Sequence, residues 1–472
     1  MSKSWVNFAE RLGSDLHLEL TGTGSRRAVL AEALRTAIQD GRLAAGTALP
    51  PYRSLAADLG IARNTVAATY SELVAEGWLT ARQGSGTRVA ERSAALPRPR
   101  TPGRPITATA APEHNLLQGL PDASAFPRKA WATSTRRALT NAPNSAFGPG
   151  DPQGRLELRT ALAHYLARAR GVRAEPERIV ICAGFSDALR LLFGGGVLRG
   201  TLAVEAYGLA FHRTLLASAG VRTVPLGLDE HGSRTSELDD HDDVCAALLT
   251  PAHQFPIGGP LDPVRRHAAV EWARRRGGTV IEDDYDGEFR YDREPVGAVQ
   301  ALDPDHVVYV GSASKSLSPA LRLGWMVLPE SLVDAVLEVK GRRERWTGVV
   351  DQLTFADLID SGAYDRHVRQ MRQRYRARRN RLAAALAEHA PHIEPTGIAA
   401  GLHAVLRLPP DTEASTVEAA AAQGIALDGL AGYRHPDAAP AFDGLVVGYA
   451  APSDHALTPA LAALCRILPP RP

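Results

Sequence analysis

A stretch that cannot contribute to a hydrophobic core divides this sequence into two parts. Residues 91–113 read ERSAALPRPRTPGRPITATAAPE and are rich in proline, alanine, threonine and arginine, without apolar periodicity. Such a stretch buries too little surface to offset the entropy of ordering it, and its prolines favour extended conformations. We interpret 91–113 as a linker. It separates a predicted N-terminal domain, residues 14–90, from a larger part that begins at residue 114.

The length and the composition fit a protein with more than one folded domain. A chain of 472 residues exceeds what one core usually organises, and 44% hydrophobic and 22% charged residues are ordinary values for soluble proteins. The three cysteines are too widely spaced for a disulfide framework or a metal site. No apolar run reaches the roughly 18 residues of a membrane helix, and the N-terminus lacks the apolar segment of a signal peptide. These features predict a cytoplasmic protein without a membrane partner or a metal.

The segment before the linker has the pattern of three helices and a hairpin. Apolar residues in RAVLAEALRTAIQDG recur at helical spacing up to Gly41, and SLAADLG forms a short helix that ends at Gly60. In ARNTVAATYSELVAEGW, residues Val66, Tyr70 and Leu73 share one helix face. WLTARQGSGTRVA then alternates around a QGSG turn, as a two-stranded hairpin does. This order predicts a winged helix-turn-helix.

Short polar and basic side chains lie where such a module would contact DNA. The start of its third helix faces base edges in the major groove, and the hairpin turn can enter the minor groove. The alternative is a compact trihelical unit without a DNA partner. The net charge of +2 does not decide between them. The linker arginines leave a further phosphate contact open, although a solvated spacer is the preferred interpretation. The residues predicted to contact double-stranded operator DNA are Arg53, Arg63, Asn64, Thr65, Gln83 and Gly84.

Beyond the linker, short apolar runs alternate with helical segments. Near-continuous apolar strands that alternate with helices indicate an α/β domain, with a mostly parallel sheet covered on both faces. We assign it to residues 114–345. Residues 346–472 are first mostly helical and then return to strands, which predicts a smaller α+β C-terminal subdomain. The apolar runs are RIVICAG, TLAVEAY, CAALLTP, TVIEDDY, HVVYVGSAS and RLGWMVLP.

Three motifs in this part carry side chains suited to one kind of cofactor. SASKSLSPALRLGW (312–325) contains Lys315 among serines and an arginine, a set that can join an amine to an aldehyde and hold a phosphate. VIEDDYDGEF (280–289) places Asp283 at the end of an apolar strand, where it can pair with a protonated pyridine nitrogen. ICAGFSDALRLL (181–192) is a strand, a turn and a helix N-terminus, which suits a phosphate. Each motif alone is common on protein surfaces. Together they indicate pyridoxal 5′-phosphate (PLP).

Both parts of the chain resemble known families. LPPYRSLAADLGIARNTVAATYSELVAEGWLTARQGSGTRV resembles the winged helix of the GntR family. Residues 114–472 resemble the fold type I PLP-dependent aminotransferases, and a chain that joins the two resembles the MocR branch of GntR regulators. The motifs that carry the second resemblance are GLPDASAFPRKAW (119–131), GDPQGRLELR (150–159), TPAHQFPIGGPL (250–261), IEDDYDGEFRY (281–291) and SASKSLSPALRLGW.

The resemblance implies a role for each site residue. Lys315 would form the internal aldimine with PLP. Asp283 would pair with the pyridine nitrogen, with Asp284 as the alternative, and Tyr285 would contact the phenolic oxygen. The other residues implied to contact the cofactor, mainly at its phosphate, are Gly184, Phe185, Ser186, His253, Ser312, Ser314 and Arg322.

Four positions depart from the pattern of these families. Val446 stands where aminotransferases carry the arginine that binds a substrate carboxylate, and Arg434 or His435 would have to replace it. Leu209 replaces a common aromatic residue, and Phe255 replaces an asparagine. Ala67 replaces an arginine of the DNA-binding helix.

The intact DNA-binding module, together with the weakened carboxylate site, favours a regulator over an enzyme. We expect a homodimer that binds DNA and senses PLP, a small amine or an amino acid. A catalytically active aminotransferase is the alternative.

Overall fold

The computed structural model describes residues 24–82, 86–91, 112–291, 296–342 and 347–471. The chain divides into two compact units, Met1–Ala111 and Pro112–Pro472. The predicted linker falls almost entirely outside the described residues. Within these residues no helix is long and apolar enough to cross a membrane.

The described residues of the N-terminal unit form three helices and a hairpin. Helix α2 ends at Gly60, whose φ of 65° is left-handed and suits glycine. The two strands pair antiparallel, with Arg82 opposite Gly86. The predicted winged helix-turn-helix is therefore confirmed. The elements are α1 (Arg26–Gln39), α2 (Tyr52–Leu59), α3 (Arg63–Ala75), β1 (Leu79–Arg82) and β2 (Gly86–Val89).

A core of its own and a set of ion pairs hold this unit together. Leu30 and Leu34 of α1 pack with Val66 and Leu73 of α3, and all four are almost completely buried. Burying an aliphatic side chain of this size contributes about 1.5–3 kcal/mol. On the surface, α1 and α3 are joined by the ion pairs Arg27–Glu72 at 2.8 Å, Arg35–Glu72 at 3.2 Å and Arg35–Glu76 at 2.7 Å.

A seven-stranded sheet forms the centre of the second unit. Its order is β4-β12-β11-β10-β9-β5-β6. Only β12 runs antiparallel to its neighbours, so the prediction of a mostly parallel sheet is confirmed. The carboxyl ends of the parallel strands therefore meet along one edge. The strands are β4 (Ile179–Cys182), β5 (Thr201–Glu205), β6 (Thr223–Leu226), β9 (Val244–Leu249), β10 (Thr279–Asp283), β11 (Val307–Ser312) and β12 (Gly324–Val327).

Helices cover both faces of this sheet. Along β4, Ile179 and Ile181 belong to the core on one face, whereas Val180 and Cys182 belong to the core on the other. This alternation follows from the two-residue period of a strand. The helices of the second unit are α4 (Arg128–Asn141), α5 (Leu156–Arg170), α6 (Phe185–Leu192), α7 (Ala210–Ser218), α8 (Pro263–Arg276), α9 (Glu330–Arg342), α10 (Val349–Asp360), α11 (Ala363–His389), α12 (Glu413–Ala422) and α13 (Asp454–Ile467).

A second, smaller sheet lies near the C-terminus. The strands β13, β16 and β15 pair antiparallel in that order, and helices α11 and α13 contribute to the same core. The two-residue strand β3 is distant in sequence, but it pairs in parallel with β14. Helix α10 instead packs in the core of the large sheet, through Phe355 and Leu358. The remaining strands are β3 (His114–Asn115), β7 (Leu228–Asp229), β8 (Gly232–Ser233), β13 (His403–Arg407), β14 (Ile425–Ala426), β15 (Asp428–Gly429) and β16 (Gly444–Gly448).

Candidate functional site

A cavity of about 260 Å³ lies at the carboxyl ends of the parallel strands. This edge is where open α/β sheets bind ligands, because the loops that follow the strands converge there. All the residues predicted to hold a cofactor, apart from His253, line this one cavity. They are Gly184, Phe185, Ser186, Asp283, Tyr285, Ser312, Ser314, Lys315 and Arg322.

Lys315 presents its amine inside the cavity. It follows β11, and its Nζ donates a hydrogen bond of 2.6 Å to the backbone carbonyl oxygen of Gly119. Burial lowers the pKa of Lys315, although the nearby carboxylates of Asp283 and Asp286 oppose that shift. A lowered pKa increases the fraction of neutral amine, which is the nucleophilic form.

Two neighbouring carboxylates at the end of β10 point in different directions. Asp283 lines the cavity, and burial, followed by the charge of Asp284, raises its pKa well above the ordinary value. Asp284 is buried elsewhere: Arg170 binds both of its oxygens, at 2.6 and 3.0 Å, and Tyr309 donates to it at 2.7 Å. Asp284 does not line the cavity, so it is not available as the alternative partner for a cofactor ring.

Tyr285 is linked to a buried acid through His253. The His253 Nδ1 atom lies 3.0 Å from the Tyr285 hydroxyl and 2.8 Å from Asp286 Oδ2. Burial raises the pKa of Tyr285, so its hydroxyl stays protonated and can donate a hydrogen bond into the cavity. His253 lies behind Tyr285 and does not line the cavity. His253 therefore positions Tyr285. Its place in the fold does not favour the predicted direct contact between His253 and a cofactor.

The opposite end of the cavity has the features of an anion site. Gly184, with a φ of 98°, precedes α6 and exposes the N-terminus of that helix. Backbone N–H groups at a helix N-terminus attract phosphate. Arg322 also has a left-handed φ, of 50°, which places its guanidinium beside Gly184. The backbone at Gly324 approaches the backbone at Gly184 closely, since a Cβ on Gly324 would lie 2.8 Å from Gly184 Cα.

The remaining wall contains residues that sequence reasoning did not identify. Glu205 ends β5 and accepts hydrogen bonds from Ser233, at 2.7 Å, and from Thr250. An acid at the end of the apolar run TLAVE is the same signal that pointed to Asp283 at the end of TVIED. His212 and His403 also line the cavity, and burial lowers their pKa values to about 4 and about 3. The other residues of this wall include Gln118, Gly119, Tyr207, Arg213 and Thr250.

Three positions of the second unit depart from the aminotransferase pattern. Leu209 and Phe255 line the cavity. Val446 is completely buried in β16, in an apolar cluster that includes Phe255 and Tyr433.

Neither proposed substitute for a carboxylate-binding arginine lines the cavity. Arg434 Nη1 donates to the carbonyl oxygen of Ala438 at 2.7 Å, and His435 Nε2 lies 2.9 Å from Thr223 Oγ1.

The predicted DNA-contacting residues of the N-terminal unit lie at its surface where they are described. Arg53, Arg63 and Asn64 are exposed, and Thr65 is half-buried at the start of α3. The side chain of Ala67 is half-buried and adds no charge to that helix. Gln83 and Gly84 lie outside the described residues.

Comparisons with known proteins match both units. Residues 27–89 match the family described as bacterial regulatory proteins, gntR family, and residues 115–435 match aminotransferase class I and II. The chain is 31% identical to an HTH-type pyridoxine biosynthesis transcriptional regulator, PdxR, of Corynebacterium glutamicum, over 92% of this chain and 94% of that protein. It is 32% identical to the probable rhizopine catabolism regulatory protein MocR of Rhizobium meliloti, over 89% of each chain.

Solved structures show the same fold in the second unit. A kynurenine aminotransferase from Pyrococcus horikoshii is 23% identical, with a TM-score of 0.69 over 76% of this chain and 91% of that one. An archaeal alanine:glyoxylate aminotransferase is 22% identical, with a TM-score of 0.68 over 75% and 90%. A GntR helix-turn-helix in front of an aminotransferase fold, in a chain similar over most of its length to HTH-type regulators, shows that this protein belongs to the MocR-type transcription regulators of the GntR family.

Proposed function

We propose that this regulator binds PLP in the cavity of its second unit and binds operator DNA through α3 of its first. We also propose that the second unit senses PLP itself, or a small amine or amino acid. The observation that carries the proposal is the convergence of Lys315, Asp283 and Tyr285 with an anion-binding end in one cavity. These are the groups that such a cofactor requires.

Each end of the cavity suits a different part of PLP. Lys315 would bind the aldehyde, Asp283 the pyridine nitrogen and Tyr285 the phenolic oxygen. Arg322, Ser312, Ser314 and the N-terminus of α6 would hold the phosphate. When bound, PLP supplies an aldehyde that reacts with primary amines and a ring that withdraws electrons.

The arrangement supports sensing better than catalysis. An aminotransferase must hold the carboxylate of its substrate, which an arginine does with two parallel hydrogen bonds. At the corresponding position this chain has Val446, which is buried among apolar side chains. The complete set of cofactor residues nevertheless favours aminotransferase activity as a second candidate function. Sustained turnover of an amino donor and a 2-oxo acid would establish it.

Cofactor binding can be tested by spectroscopy and by chemical trapping. The purified protein, incubated with PLP, should gain a visible absorbance band, and borohydride reduction should fix PLP to Lys315 in a mass spectrum. The Lys315→Ala variant should show neither signal. Lys129→Ala, which removes an exposed lysine, should show both. A wild-type protein that stays colourless and unlabelled would contradict the proposal.

DNA binding can be tested with the region upstream of the gene for this protein. A gel-shift assay should detect a specific complex whose affinity changes when PLP is bound. Arg63→Ala should weaken it by about 1–3 kcal/mol if the arginine contacts a base. Arg136→Ala, an exposed arginine of the second unit, serves as the control. An absence of specific binding, with and without PLP, would contradict the proposal.

The proposal also covers the location and the assembly of the protein. We propose that the protein is cytoplasmic. We also propose that it binds paired half-sites as a homodimer, because one winged helix offers few contacts to DNA. Sedimentation at micromolar concentration should give the mass of two chains.

A further inference from the structure

The charges inside the cavity restrict what kind of small molecule can bind beside the cofactor. Its basic side chains are Lys315, Arg322 and Arg213, together with two histidines. Under the proposed function, Lys315 and Arg322 serve the cofactor. The question is therefore whether Arg213, His212 or His403 is available to bind a carboxylate.

Arg213 is already engaged by the backbone. Its Nη1 donates to the carbonyl oxygens of Gly208, at 2.9 Å, and Tyr433, at 3.1 Å, and its Nη2 donates to that of Arg434, at 3.0 Å. These bonds join the loop after β5 to the segment that precedes β16. Using Arg213 for a ligand would take the side-chain donor away from the partly buried carbonyl oxygens of Gly208 and Arg434, which is costly, whereas the carbonyl oxygen of Tyr433 would keep the N–H of Gly208.

The two histidines do not supply a positive charge near neutral pH. Burial lowers the pKa of His212 to about 4 and that of His403 to about 3, so both imidazoles are neutral. His212 packs against the ring of Phe185 with 4.9 Å between ring centroids. His403 Nε2 lies 3.0 Å from the carbonyl oxygen of Pro256.

A hollow that adjoins the cavity has the opposite charge. Gln118 and Leu209 line the cavity and also a more open hollow of about 650 Å³. Among the described residues that line this hollow, the charged ones are Glu413, Glu418 and Asp428, and none is basic. Glu418 is exposed. Such a surface attracts cations and repels carboxylates.

We propose that the small molecule sensed by this unit is a primary amine with an uncharged hydrocarbon body, and that α-amino acids are excluded. The inference rests on the proposed function. Leu209, Phe255 and Leu402 provide the apolar wall for the hydrocarbon body, and the acidic hollow favours entry of the ammonium group. Among the described residues that line the cavity, no cation is left to replace the water around an α-carboxylate.

Matched ligands that differ only in a carboxylate test the proposal. The full-length protein, loaded with PLP, is titrated by calorimetry with 2-phenylethylamine and L-phenylalanine, and with 3-methylbutylamine and L-leucine. Each amine should bind at least about tenfold more tightly than its amino acid, because an unpaired buried charge is costly. Equal or tighter binding of the amino acids would overturn the proposal.

Two variants separate the contributions of the cavity and of the hollow. His212→Arg introduces a permanent cation and should raise amino-acid affinity relative to the amine. Glu418→Lys should slow amine association several-fold at low salt and little at high salt. Glu388→Lys, the same charge change on the exposed end of α11, should have no such effect. Unchanged selectivity in His212→Arg together with unchanged kinetics in Glu418→Lys would overturn the proposal.

The outcome can be separated from the proposed function itself. If the protein carries the Lys315-dependent absorbance band and binds none of the amines, this inference fails while PLP binding stands. If that band is absent, PLP binding fails first.

Discussion

At the scale of single residues, two adjacent aspartates show how strand geometry divides roles. Asp283 and Asp284 follow each other at the end of β10, so their side chains face opposite sides of the sheet. One carboxylate reaches the cavity, while the other is held by Arg170 and Tyr309. Their substitution should therefore have different consequences.

Asp283→Asn should weaken PLP binding by about 1.5–3 kcal/mol, because a charge-assisted hydrogen bond to the ring nitrogen is lost, and it should change the unfolding free energy little. Asp284→Asn should do the reverse and destabilise the unit by about 3–5 kcal/mol, because it leaves the buried guanidinium of Arg170 without its negatively charged partner. Fluorescence titration with PLP and urea unfolding measure the two effects. Equal losses of PLP affinity would contradict this division.

Gly119 offers a second prediction at this scale. Its φ is 75°, and a Cβ at this position would lie 2.8 Å from Lys315 Nζ. Gly119→Ala should therefore displace the lysine amine and slow the appearance of the PLP absorbance band in stopped-flow mixing. Gly432→Ala is a control, because a Cβ there meets no atom within 4 Å. An unchanged rate for Gly119→Ala would show that the lysine does not depend on this contact.

Motifs predicted nine of the residues that line the cavity, but not the contacts between distant segments. Lys315, Asp283 and Tyr285 were predicted because their motifs are local in sequence. The two-residue period of a strand would also have shown that Asp284 faces away from Asp283. Gly119, His212 and His403 reach the cavity from a loop, from α7 and from β13, which only the folded unit brings together. Their role could not be inferred from spacing alone.

At the scale of elements, Arg378 joins three parts of the second unit. It lies in α11 and is almost completely buried. Its Nη2 donates to Asp122 at 2.7 Å and to Asp454, the first residue of α13, at 2.8 Å, and its Nη1 donates to the carbonyl oxygen of Ala450 at 2.6 Å. It thus connects the two long C-terminal helices to the chain before α4.

Arg378→Met should lower the unfolding free energy of this unit by about 2 kcal/mol, because charge-assisted hydrogen bonds are lost while Arg374 still pairs with Asp122. Arg376→Met, on the exposed face of the same helix, should change it by less than about 0.5 kcal/mol. Denaturant unfolding compares them. Similar values for the two variants would contradict a connecting role for Arg378.

The same contact predicts a dependence on pH. Hydrogen bonding to Arg378 lowers the pKa of Asp454 below its ordinary value of about 3.9. The resulting stabilisation is therefore complete above that value and is lost as the pH falls through the lower pKa of the folded state. The difference in melting temperature between wild type and Asp454→Asn should be constant from pH 7 to pH 5 and shrink below about pH 4. A difference that grows on acidification would contradict this assignment.

Periodicity predicted the type of each major element, but not how the elements are arranged. The apolar runs identified six of the seven strands of the large sheet, all except β6, whereas the reversed direction of β12 between β4 and β11 has no local signal. The pairing of β3 with β14 involves two residues on each side, which is too short for a sequence pattern. Long-range pairing of this kind depends on packing of the whole unit.

At the scale of the whole molecule, the two units have separate cores, so ligands should stabilise them separately. Calorimetry should show two transitions, and PLP should raise only the melting temperature of the second unit. At a free concentration of about 100 times its Kd, the expected stabilisation is about 2.7 kcal/mol. Operator DNA should raise the transition of the first. A single transition that responds equally to both ligands would contradict independent unfolding.

The pairing of β3 with β14 also determines which part of the second unit would bear a force applied through the linker. The chain from the N-terminal unit joins the second unit at β3. There the N–H groups of His114 and Leu116 donate to the carbonyl oxygens of Gly424 and Ala426. It then continues directly to Gly119, whose carbonyl oxygen holds the lysine amine. A force on this short segment would therefore reach the peptide group of Gly119, and so would any change in the bonds of the Lys315 amine.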